Sequence, residues 1–200
     1  MKKRLRNSMV VTVAVLFCYA LLPVISNSFA TSFKHYAANQ FNADAYTAGM
    51  NKIGHNTLAW VNPTADFSRY DAVTIIENDD RYLPVQNTFS YTPFVTLFNV
   101  QFKQALTVKT GGQNSLRVET AVVECNPGNR AARFLVGLGA GKTACAAVCE
   151  VYAPGKADAI MRIYTRDTGS FGGDSVSMLN HILTQLAIRA GAAVKDQMGK

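Results

Sequence analysis

Apolar and polar positions along the chain follow two periods, and each change of period marks an element. In "TPFVTLFNVQFKQALTV", Phe94, Leu97, Phe98, Phe102, Ala105 and Leu106 fall on one helical stripe. Thr92 can cap this helix and Pro93 suits its first turn. A second helical face runs through Val176, Leu179, Ile182, Leu183, Leu186, Ala187, Ala190 and Val194. Asp174 can cap it, His181 falls among its polar positions, and Lys195 and Lys200 stand where the helix dipole favours cations. Period two and β-branched content predict strands over Ala72–Glu77, Leu116–Cys125 and Asp158–Arg166. The run "KTACAAVCEVY" fits a further strand, with a helix over Thr143–Val151 as the alternative because alanine is a good helix former. Pro154-Gly155 then closes a hairpin.

Turn chemistry separates these elements. Pro63 and Asp66 punctuate the entry to the first strand, and "NDDRYLP" reads as a polar turn in which Asp79 and Asp80 are solvated. Residues 31–62, rich in Asn and Ala, read as a loosely ordered lead-in with a short helix around Ala43–Lys52 and with His35 and His55 at the surface. The resulting order β-α-β-β-β-α predicts a single α+β domain over 63–200. Its architecture is a two-layer sandwich of a small mixed β-sheet with two amphipathic helices on one face.

The first thirty residues have a different character. "MKKRLR" is basic, "MVVTVAVLFCYALLPVI" is apolar, and Ser28 and Ala30 precede a cut ahead of Thr31, the pattern of a secretory signal peptide over 1–30. An uncleaved anchor is the alternative, although Met9–Ile25 lies at the short limit of the ~17–25 residues a span needs. Bulky Leu16 and Phe17 before Cys18 do not suit lipid attachment. The leader holds four of the 20 basic residues and none of the 13 acidic ones, so its removal lowers the net charge from +7 to +3. No dense basic stripe with interleaved aromatics remains, which argues against nucleic-acid binding.

Export permits disulfides. Cys145 and Cys149 would lie ~13 Å apart on a strand, too far to bridge. A Cys125–Cys145 bridge leaving Cys149 buried, or three buried thiols, are both compatible with the sequence. No histidine lies near these cysteines in sequence, so neither a metal nor another cofactor is expected.

"VGLGAGKT", Val136–Thr143, superficially resembles a phosphate loop. That motif needs a glycine where Val136 stands and a helix beginning at the lysine. Gly137 comes one residue late, so the reading is a glycine-rich bend between strands. On a strand, the alternating Gly137, Gly139 and Gly141 would leave one face bare for close packing or for a partner. Arg130, Arg133 and Lys142 beside it could contact acids or an anion.

The whole segment "NRAARFLVGLGAGKTACAAVCEVY", with "SFGGDS" and the last helix, resembles an uncharacterised bacterial envelope family, domain of unknown function 4410. Asn129, Arg130, Arg133, Gly137, Gly139, Ala140, Gly141 and Lys142 carry the likeness. The resemblance implies a secreted protein or lipoprotein of the periplasm or cell envelope, with no activity to transfer. Ser68, Ser170 and Ser175 lack a G-x-S-x-G setting, which leaves a hydrolase as the weaker alternative. The expectation is a non-catalytic binding or assembly module with an envelope protein partner and a possible homo-oligomeric state. A membrane-anchored subunit of a secretion, conjugation or export apparatus is the alternative.

Overall fold

The structure, a computed structural model, describes residues 32–38, 40–77, 80–84, 89–112, 114–128, 141–169 and 174–199. Its centre is a seven-stranded mixed sheet. The strands are β1 (Asn51–Gly54), β2 (Thr57–Val61), β3 (Ala72–Ile76), β4 (Lys109–Thr110), β5 (Ser115–Asn126), β6 (Thr143–Tyr152) and β7 (Ala159–Gly169). They lie in the order β1-β2-β7-β6-β5-β3-β4. The later strands form the expected meander, since β5–β6 and β6–β7 are antiparallel neighbours. β3 lies parallel to both β5 and β4. A parallel return needs a crossover, and the helix between β3 and β5 supplies it.

The helices are α1 (Ala43–Thr47), α2 (Thr92–Leu106) and α3 (Ser175–Met198). α2 and α3 pack against each other and cover one sheet face, confirming the α+β sandwich with a larger sheet than expected. The α2 stripe is core: Phe94, Phe98, Phe102 and Leu106 are all buried. Its cap differs from the expectation. Thr92 is the first helical residue and Tyr91 holds the cap position, with no side-chain cap bond. Thr107, at φ 45°, ends the helix in the left-handed region. On α3, Asp174 caps as expected, its carboxylate accepting from Ser177 N at 2.9 Å. Val176 does not join the buried face and is 49% exposed, because the first turn reaches past the sheet-covered core.

Three further differences change the picture. Residues 51–61, read with the lead-in, form the β1–β2 hairpin, and β2 pairs antiparallel with β7. The "polar turn" buries Tyr82 and Leu83, each 2% exposed. Lastly, the N-terminal segment crosses the second face of the sheet, where Phe33 and Tyr46 are buried against Ala121, Val123, Ala146, Val148 and Tyr164. β6 is therefore covered on both faces, and every one of its residues is buried. Central placement between β5 and β7, with this two-sided cover, settles Thr143–Val151 as strand rather than helix.

Candidate functional site

The glycine segment is rooted at one end of the two central strands. β5 ends at Asn126 and β6 begins at Thr143, so residues 127–142 connect two directly paired antiparallel strands. At its ends, Asn126 Oδ1 accepts from Gly128 N at 2.8 Å, and the Thr143 hydroxyl donates to the Pro127 carbonyl at 3.1 Å. The lysine of "GKT" is followed by a strand. The helix N-terminus that a phosphate loop requires is not there. Thr143 is fully buried and turned to the backbone. Gly141 sits in a turn at φ 69°, so it does not continue an alternating glycine strand, and Lys142 is exposed beside it. Arg130, Arg133, Gly137 and Gly139 lie outside the described residues.

The second charged feature was not expected. Across the face opposite the helices runs a register row in which Glu119 stands opposite Glu150, Glu150 opposite Arg162, and Arg162 opposite Trp60. Glu119, Glu150 and Arg162 are 2%, 0% and 3% exposed. Burying charge is costly unless it is paired and hydrogen-bonded, and here the pairing comes largely from the N-terminal segment. Lys34 and Arg117 both bridge to Glu119, the latter at 2.8 Å. Glu150 accepts from Phe33 N at 2.9 Å, from the Ser32 hydroxyl at 2.6 Å and from the Tyr152 hydroxyl. Arg162 lies over Trp60 at 4.8 Å and over Tyr46 at 5.9 Å. Burial, then the Glu150 charge, pushes the Tyr152 and Tyr46 hydroxyls up, so both stay neutral. The only sequence signal for this row was a charged residue at an inward position of three otherwise apolar strands: "RVETAV", "VCEVY" and "IMRIY".

The three cysteines line the helix-side core, and all are free thiols in this structure. Cys125 stands directly opposite Cys145. The Cys125 thiol facing it, together with burial, raises the pKa of Cys145. Burial likewise raises that of Cys149, which faces Thr120 instead. Asp80 is described and half-buried, whereas Asp79 and Ser170 lie outside the described residues. Ser68 bonds to Asp66 within its own turn. His55 sits in the β1–β2 turn beside Asn56 at 3.2 Å, and His181 is exposed. Among the described residues, no group of three or more His, Cys, Asp or Glu comes together to hold a metal, and no helix is long and apolar enough to cross a membrane.

The family described as a domain of unknown function, DUF4410, matches residues 102–173, from within α2 to just before α3. That span contains the whole β5–β6–β7 meander and the glycine segment, in line with the resemblance those residues carry. Solved structures with a related outline include a PelC dodecamer from Paraburkholderia phytofirmans, at 14% identity and TM-score 0.44, covering 69% of this chain and 97% of that one. A point variant of that dodecamer matches at 14% identity and TM-score 0.41, covering 68% and 96%. A candidate lipoprotein from Caulobacter crescentus matches at 12% identity and TM-score 0.38, covering 66% and 90%. No curated protein matches the chain.

Proposed function

We propose that this is an exported cell-envelope protein that acts as a non-catalytic binding or assembly module, with residues 127–142 as its contact surface. One observation carries the reading. Directly paired antiparallel strands need a connection of only ~2–5 residues, and connections beyond ~12–15 residues are uncommon. This one has 16 residues, of which three are basic, none is acidic and four are glycine, three of them after Pro127-Gly128-Asn129. Its two roots are the ends of β5 and β6, directly paired strands inside the sheet. Arg130, Arg133 and Lys142 suit an acidic patch on an envelope protein, and the glycines allow close backbone approach. Export is supported by the basic start and the apolar run of the sequence.

The test is cross-linking and co-purification of the native protein, expressed with its own leader, against an Arg130→Glu/Arg133→Glu variant. The reading expects a partner captured with the native protein and lost, by about tenfold or more, with the charge-reversed one. Equal capture by both would remove residues 127–142 from the proposed surface. Recovery of the chain at full length in the membrane would favour the anchored apparatus subunit.

A further inference from the structure

We propose that the second face of the sheet is a binding site for a peptide segment that presents an aromatic side chain followed by a cation, and that the chain's own Ser32–Lys34 occupies it as a built-in competitor. This surface is separate from residues 127–142 and goes beyond the reading above.

The recognition chemistry can be read from the resident segment. Phe33 is 0% exposed, lies in the second apolar cluster and meets Tyr82 edge-on at 5.6 Å. Phe33 N and the Ser32 hydroxyl donate to Glu150 at 2.9 and 2.6 Å, which fixes the backbone of the segment. Lys34 bridges to Glu119 and lies over the Tyr152 ring at 5.1 Å. An apolar plug, a backbone anchor and a cation on a buried acid together select for sequence.

The face keeps its charge balance without this occupant. Glu119 retains Arg117 at 2.8 Å, and Glu150 retains the Tyr152 hydroxyl and stands directly opposite Arg162. Arg162 is braced in turn by the Trp60 ring at 4.8 Å. Breaking a buried ion pair is costly where it strands a charge, and lifting Ser32–Lys34 strands neither carboxylate. Buried ion pairs also add little net stability, and their best-attested use is to fix register and partner choice. The two covers of the sheet differ accordingly. α2 and α3 hold the helix side through a continuous apolar core, whose exposure to water is expensive. The N-terminal cover rests on polar contacts that water can replace, and the Lys34 side chain is already 37% exposed. It is therefore the part of the fold that opens at least cost.

The probe is a labelled peptide with blocked ends, Ser-Phe-Lys-His-Tyr, the sequence of residues 32–36. Its fluorescence anisotropy is titrated with the full chain in native form and as Phe33→Ala/Lys34→Ala. The variant should bind the peptide, and the native protein should bind it about tenfold or more weakly, because only its open fraction is competent. Exchanging the peptide's lysine for glutamate, or its phenylalanine for alanine, should abolish binding. A folded variant that binds nothing, or that binds the altered peptides equally well, overturns the site. Adding Arg130→Glu/Arg133→Glu to the variant should leave binding unchanged. A loss there moves the peptide to the 127–142 connection and overturns the site on the sheet face. Hydrogen exchange of the native protein gives a readout free of variants. The amides of Phe33, His35 and Tyr36 are all hydrogen-bonded, so their protection reports opening of the segment. They should exchange about a hundredfold faster than the amides of β6. Protection equal to that of β6 makes the segment an integral part of the core and overturns the proposal.

Discussion

At the scale of single residues, burial turns sequence position into chemistry. Asp167 on β7 is held to α3 by the Arg189 guanidinium at 2.9 Å and accepts from Thr168 N and Asn56. Burial alone would raise its pKa, but these donors outweigh it and hold the carboxyl below its ordinary value. A depressed folded value contributes stability that is present above the unfolded pKa of ~3.9 and lost as pH falls through the folded one. Urea unfolding between pH 5 and 2 should therefore show a shallower acid loss in Asp167→Asn than in the native protein. The remaining slope comes from carboxyls such as Asp66 and Asp174, which are also lowered, chiefly by bonds from Ser68 and Ser177 respectively. The cysteines make a second prediction. Directly opposed antiparallel residues have Cα atoms ~4.5–5.5 Å apart, inside the range a disulfide spans. Protein recovered from an oxidising compartment should contain a Cys125–Cys145 bridge and one free thiol at Cys149. Peptide mapping without reductant checks this, and three free thiols would contradict it.

At the scale of elements, the amphipathic pattern was readable wherever one face alone is buried. The α2 and α3 stripes translate directly into the helix-side core. Three features were not readable, each for a physical reason. β1 is exposed at all four positions, so no period marks it as a strand. β3 joins the sheet by parallel pairing with β5, and register between distant segments leaves no local trace. Phe33 and Tyr46 sit among Asn and Ala, and nothing local says that they cover a sheet face. The contact between the helices was equally silent. A Cβ on Gly191 would meet Ala105 Cβ at 2.9 Å and the α2 backbone at 3.2 Å, so α2 and α3 approach closely there. Gly191→Val should destabilise the protein by about 1–3 kcal/mol through overpacking, whereas substitution of exposed Val100 on the same helix pair should be near neutral. Denaturant midpoints of the two variants decide this.

At the scale of the whole molecule, the chain places its charges in two distinct settings. The Glu119–Glu150–Arg162 row is enclosed between the sheet and the N-terminal segment and serves cohesion. The basic connection 127–142 arises from the opposite purpose in the sequence: three cations and several glycines with no acid among them, between strands that need no such length. Of this candidate surface, the sequence revealed composition and the strand-borne roots, while the structure removed the phosphate-loop reading by placing β6 directly after Lys142. The buried row escaped notice because single charges within apolar strands acquire meaning only through their cross-strand neighbours. The most direct measurement of the central claim is cell fractionation of the full chain combined with intact mass and in-cell cross-linking from a photoreactive residue at Lys142. The account predicts a processed envelope species beginning at Thr31 that cross-links to an envelope protein, with the cross-link lost in Arg130→Glu/Arg133→Glu. A full-length cytoplasmic species, or a cross-link unaffected by the charge reversal, would contradict it.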